Sequence, residues 1–254
     1  MSESSSPGCL STIMMLLMAI LSSFGSFGSS APAVSASTRV TFSPSVVFTP
    51  EELNTAAAIM ERRLAALGLT DTPVTLQFGA EIIVDLPYVD DMNAVMDVLR
   101  ARGLLELVDF SGVDTAGGVW DERIIQTTAN MNPDGERHPV TGLPFETILN
   151  GDDVRSAEAA RSSFNDTWEI GIRFSDEAGA VLGDFTRNHL DEPLAIVLDS
   201  RVLSTPIIQS EVTTEAVIQS LYFTELSAQY MAVQIGSGSL PFALDIISIN
   251  TITP

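Results

Sequence analysis

The stretch Leu194–Ile208, LAIVLDSRVLSTPII, sets two apolar, β-type runs on either side of Asp199, Ser200 and Arg201. An acid, a hydroxyl and a base side by side fit either a reactive centre or a tight turn. A nucleophilic serine needs a base within reach. The chain holds only His138 and His189, each in a polar context remote in sequence. Asp and Ser both favour tight turns, Ser by returning a hydrogen bond to the backbone, and Pro206 suits an edge or irregular position. The stretch is therefore predicted to be a β-hairpin, with no catalytic residue in it.

Working outward, Ser175 is placed to cap a helix before this hairpin, with Ala178, Val181, Leu182 and Phe185 on one side. WEIGIRF, 168–174, alternates as a strand, and 150–162 is predicted to be a short helix capped by Asn150 or Asp152. After the hairpin, Thr224 caps a last helix with Leu226, Tyr230 and Val233 facing inward, and PFALDIISINTI closes the chain as a strand. Nearer the start, RVTFSPSVVF reads as a strand. Thr49, Pro50 and Glu52 then form a capping box with proline at the first helical position. Leu53, Ala57, Met60, Leu64 and Leu67 make one apolar stripe that ends at Gly68. VTLQF and IIVDLP flank Gly79-Ala80-Glu81 as a hairpin. Asp90 caps a helix carrying Met92, Val95, Met96 and Leu99, and Leu104–Phe110 returns as a strand.

The order β, α, β, β, α, β over about 70 residues is that of a split, ferredoxin-like unit, in which two helices cover one face of an antiparallel sheet. The fold class is α+β: a ferredoxin-like base, completed by the C-terminal helix and strand, with an inserted α+β head. The boundaries are 1–36 for a leader, 37–115 and 222–254 for the base, 116–145 for a Gly-, Asp- and Pro-rich connecting segment, and 146–221 for the head.

In the leader, an apolar run from Leu10 to Leu21 precedes a small-residue pattern, Ala31 to Ala36. That is the anatomy of an export signal, except that residues 1–9 carry Glu3 and no Lys or Arg. The alternative is an uncleaved anchor over Leu10–Gly28. Either places the rest of the chain outside the cytoplasm. The single cysteine, Cys9, precedes the apolar run, so the exported part has no disulfide or thiol chemistry.

Of 254 residues, 33 are acidic and 12 basic, for a formal charge of −21. That charge repels phosphate backbones, so nucleic acid is not an expected partner. It is equally consistent with solubility, a saline habitat or attraction to a basic partner. Two histidines cannot make a His-rich zinc site, and no phosphate-binding glycine motif is present. Asp90-Asp91 and Asp152-Asp153 sit where helices are expected to begin, where carboxylates cap free amides. Asp109, Asp114 and Asp121 share a loop, but their spacing matches no calcium-binding loop of the EF-hand kind. No cofactor, metal, small-molecule substrate or enzymatic activity is expected.

Four stretches together resemble the SecD subunit of the bacterial Sec protein-export accessory complex. AAIMERRLAALGL, 57–69, is similar to that family's helix ending in Arg-Leu-x-x-Leu-Gly, and EIIVDLPYVDD, 81–91, to its strand ending in Leu-Pro. FSDEAGAVLGDFT followed by LAIVLDSRVLSTPII resembles its head hairpin, and GSGSLPFALDI, 236–246, its Gly-x-Leu-Pro segment. Ser200 stands where a Gly is usual and Ser239 where an Ala is usual. The resemblance covers about 39–252 and implies the family's first extracytoplasmic domain, a base carrying a swivelling head. Family members continue into a bundle of transmembrane helices, and this sequence ends where that bundle would start.

The implied function is accessory to protein export, through binding of unfolded or emerging polypeptide or of a membrane protein complex such as the Sec translocon. Phe145, Phe164 and Trp168 are the candidate polypeptide contacts, although each taken singly fits a core position better. The alternative is a repurposed structural subunit on the outer face of an unrelated membrane complex.

Overall fold

The computed structural model describes residues 37–77, 81–164, 166–220 and 223–252. The leader, Cys9 and the turn at Gly79-Ala80 lie outside the described residues.

β1 (Ser37–Pro44), β2 (Val74–Gln77), β3 (Glu81–Leu86) and β11 (Leu244–Ile252) form one antiparallel sheet in the order β11-β1-β3-β2. Register follows the alternation of side chains. Val40 and Phe42 of β1 lie opposite Val84 and Ile82 of β3, and all four are fully buried. One face of this sheet is closed by α1 (Pro50–Ala66) and α2 (Met92–Arg100), which contribute Ile59, Met60, Leu64, Val95 and Leu99 to the same core. The Thr49–Glu52 capping box forms as the sequence implied. The cap of α2 is Asp91 rather than Asp90, its carboxylate accepting from the Ala94 amide.

The strand expected to complete this unit does not join it. β4 (Leu105–Asp109) pairs with β5 (Thr147–Asn150) on one side and β8 (Leu194–Leu198) on the other, in a second sheet ordered β5-β4-β8-β9, where β9 is Arg201–Ser204. The place beside β1 is taken by β11, some 140 residues beyond β4 along the chain. A third sheet, β10-β7-β6, is built of β6 (Val154–Arg161), β7 (Trp168–Phe174) and β10 (Glu215–Gln219). It shares a core with the β4–β8 pair, with α3 (Asp176–Asn188) and with α4 (Glu225–Gly236).

Three other expectations are corrected. Residues 151–153 make a single 3-10 turn capped by Asn150, but 154–161 is the strand β6, not a helix. Its Ala, Arg and Glu favour helix locally, and continuous pairing with β7 overrides that preference. In α3, Val181 is exposed while Ala178 and Leu182 are buried. α4 buries Ala228, Ala232 and Ile235 instead of Leu226, Tyr230 and Val233, because it lies close on β6 and β7. A Cβ on Gly236 would come within 3.2 Å of the Ala157 amide nitrogen, so only small side chains fit that contact.

The 116–145 segment is also more than a connection. It carries Trp120, Ile125 and Phe145 into a third cluster with Val108 and Phe110 on one flank of β4 and Ala195 and Val197 of β8. The β4–β8 pair is thus buried on both faces.

Candidate functional site

Asp199 and Ser200 are the two central residues of the β8–β9 turn, with φ of 52° and 70°. Both positive angles mark the hairpin geometry that matches strand twist, a conformation that Gly adopts without strain. The turn is not at the surface, for Ser200 is buried. The Asp199 carboxylate accepts from the amides of Gly103 (3.1 Å) and Leu104 (2.8 Å), where the chain enters β4. Ser200 Oγ accepts from Asn130 Nδ2 at 2.7 Å, and its carbonyl from the Ile125 amide.

The histidines are engaged elsewhere. His138 Nδ1 accepts from the amides of Val140 and Thr141, and His189 Nδ1 contacts the Phe185 carbonyl. Arg201 pairs with Glu122. The triplet therefore fastens the hairpin to its surroundings, and among the described residues no base is poised on its hydroxyl. Asp109 and Asp114 accept from backbone amides two residues on. Among the described residues no cluster of His, Cys, Asp and Glu is arranged to hold a metal ion.

The structure also shows a junction that sequence reasoning missed. Arg63, on α1, is fully buried. Its guanidinium donates to the carbonyls of Val98 (2.8 Å), Leu99 (3.2 Å) and Ala101 at the end of α2, and to those of Arg102 (3.1 Å) and Gly238 (3.2 Å). Residues 101–104 and 237–240 are the two places where the chain passes between the first sheet and the inserted part. They are paired with each other by Leu240 N donating to Arg102 O at 2.7 Å. One cation thus holds both passages and the end of a helix, where carbonyls lack partners of their own. Burial pushes the Arg63 pKa down to about 10, so the group stays charged at neutral pH. Its place on the apolar stripe of α1, between Met60 and Leu64, was the available signal.

The three aromatic candidates part company. Phe145 is buried, stacked on Phe110 at 4.4 Å and edge-on to Trp120 at 5.7 Å, so it presents no surface and is corrected to a core residue. Phe164, in the β6–β7 connection, is 94% exposed. Trp168 is half-buried, with the Arg161 guanidinium over its ring at 5.8 Å. Phe164 and Trp168 therefore share one hairpin. Among the described residues no helix is long and apolar enough to cross a membrane.

Residues 53–112 match the family model for the N-terminal part of the P1 domain of protein translocase subunit SecDF, and residues 126–242 match that for the SecDF P1 head subdomain. The protein translocase subunit SecD of Thermobaculum terrenum is 28% identical across 80% of this chain and 48% of its own. The SecDF of Thermus thermophilus is 27% identical across 81% of this chain and 29% of its own. This chain thus spans about half or less of the length of these relatives. A solved structure, described as that of a membrane component SecDF that enhances protein export, superposes with a TM-score of 0.67 at 25% identity. It covers 84% of this chain and 100% of its own. With two adjoining family models matched in chain order and a solved structure matched over its full length, the chain belongs to the SecD family.

Proposed function

We propose that this chain is an extracytoplasmic, non-enzymatic accessory to protein export, acting by binding emerging polypeptide or partners in the Sec translocon. The observation that carries this reading is the succession of the two P1 models along one chain. On this reading the four-stranded sheet with α1 and α2 is a ferredoxin-like base, and β4 to α4 form the head that moves on it. The head boundaries then fall near residues 103 and 237, outside the span expected from sequence, because β4 and α4 pack with the inserted strands.

Phe164 and Trp168, on the β6–β7 hairpin, are the surface aromatics offered to a passing chain. An apolar ring in water gains by covering itself against another apolar side chain, which suits contact without sequence preference. The alternative of a structural subunit on an unrelated complex is not favoured, since every comparison points to the export family. Pull-down from detergent-solubilised membranes tests the proposal. Sec components recovered with the protein support it, and recovery of an unrelated membrane complex in their place refutes it. A photo-reactive side chain at position 164 should crosslink to a translocating polypeptide, and failure there alone would reject the contact while leaving the export role standing.

A further inference from the structure

Glu106 lies in the middle of β4 and is fully buried. Its side chain is on the flank of β4 that faces the 116–145 segment. Two hydroxyls from different parts of the chain donate to the same oxygen, Oε1: Thr127 at 2.5 Å and Thr147 at 2.8 Å. The other oxygen, Oε2, is buried and has no hydrogen-bond partner among the described residues. Thr127 Oγ1 in turn accepts from the Asn130 amide, and the Asn130 side chain bridges Arg102 and Ser200. Residues 127–130 are thereby tied to the central sheet through this carboxyl group.

An ionised carboxylate spreads its charge over both oxygens, and a buried oxygen without a protein donor makes that charge costly. The neutral acid keeps Oε1 as the acceptor of both hydroxyls and needs only one unpaired O–H on Oε2. The charged groups acting on the site do not supply the missing partner. Arg102 favours ionisation but directs its donors to Asn130 and to the Leu240 carbonyl, and Asp199 opposes ionisation from the β8–β9 turn. The residues opposite Glu106 on the neighbouring strands, Asn150 and Val197, are uncharged.

We infer that Glu106 is a proton-operated latch: its neutral carboxyl holds residues 127–130 on the central sheet, and its ionisation lets that segment open to water. Burial raises the Glu106 pKa, outweighing the hydrogen bonds from Thr127 and Thr147 and the charge of Arg102, which favour the ionised form. The sign follows. A carboxyl whose folded value lies above its unfolded value contributes stability at pH below the ordinary glutamate value, and that contribution is lost as pH rises through the raised folded value. Opening frees the backbone of Phe145, which pairs with Thr127 and Thr128, and so loosens the cluster it forms with Phe110 and Trp120.

Hydrogen exchange read by mass spectrometry, corrected for the intrinsic pH dependence of exchange, tests the latch. Protection of peptides covering 124–136, relative to β8, is expected to fall at least about tenfold between about pH 5 and pH 8 in the wild type. In Glu106→Gln, a permanent stand-in for the neutral acid, the ratio is expected to stay constant. A constant wild-type ratio, or an equal fall in Glu106→Gln, overturns the inference. If Glu106→Gln does not fold, the carboxyl 13C titration of Glu106 in the wild type decides. A midpoint coinciding with the fall in protection supports the latch, and a midpoint elsewhere refutes it.

Discussion

Replacing Arg63 by Met keeps most of the aliphatic stem and removes only the guanidinium. Five carbonyls on two stretches of chain, 98–102 and 238, then lose their donor. A hydrogen bond to a charged group contributes about 1.5–3 kcal/mol net, but burying the cation costs several kcal/mol, so the five do not simply add. Measured losses on breaking buried charged networks bracket the result at about 3–5 kcal/mol. That is a large share of the roughly 5–15 kcal/mol that keeps a domain folded. Lysine offers three donors in place of the arginine fork, so Arg63→Lys should lose about 2 kcal/mol. Urea unfolding followed by far-ultraviolet circular dichroism and by tryptophan fluorescence measures both the loss and its location. Trp120 and Trp168 are both outside the first sheet, so fluorescence follows the inserted part alone. In the wild type the two curves should coincide, and in Arg63→Met they should separate as the passages at 101–104 and 237–240 loosen. A loss below about 1 kcal/mol with coincident curves would refute the view that Arg63 couples the two parts.

Three further outcomes are expected. Gly103 has φ +71°, and a Cβ there would sit 2.6 Å from Arg63 Nη2 and 2.8 Å from the Gln234 carbonyl oxygen. Gly103→Ala should therefore cost at least about 2 kcal/mol in a urea titration. Asp199→Ala removes the acceptor for the Gly103 and Leu104 amides and should cost about 2–3 kcal/mol, with Asp199→Asn losing less because one oxygen remains. On the open face of the first sheet, the hydrogen bonds from Arg39 hold the Asp85 carboxyl below its ordinary value. Its contribution is complete above the ordinary aspartate value and is lost as pH falls through the lower folded value, so Asp85→Asn should flatten the acid limb of the pH–stability curve.

Local chemistry was readable in the sequence wherever one short segment decides it. The capping box at Thr49–Glu52, the Ser175 and Thr224 caps and the Asp199-Ser200 turn depend on residues within four positions of one another. What escaped was partnership at long range. Leu104–Phe110 is a strand, as its composition implies, but nothing in seven residues says which sheet it enters. The alternation of its neighbours held a clue. β3 alternates half-buried and buried positions, as a strand with one covered face must, whereas β4 is buried at four successive positions and β8 at all five. Two strands buried on both flanks belong side by side at the centre of a layered body, each satisfying the other's backbone where water is excluded. That rule pairs Leu104–Phe110 with Leu194–Leu198 and leaves the edge of β1 to the other alternating strand, β11. Glu106 concealed the rule, since a carboxylate in the run reads as a solvent-facing position. Arg63 on α1 is buried in the same way. In both cases the charged side chain is buried because it answers backbone or hydroxyl groups brought from distant parts of the chain, and such demands exist only once the fold has assembled.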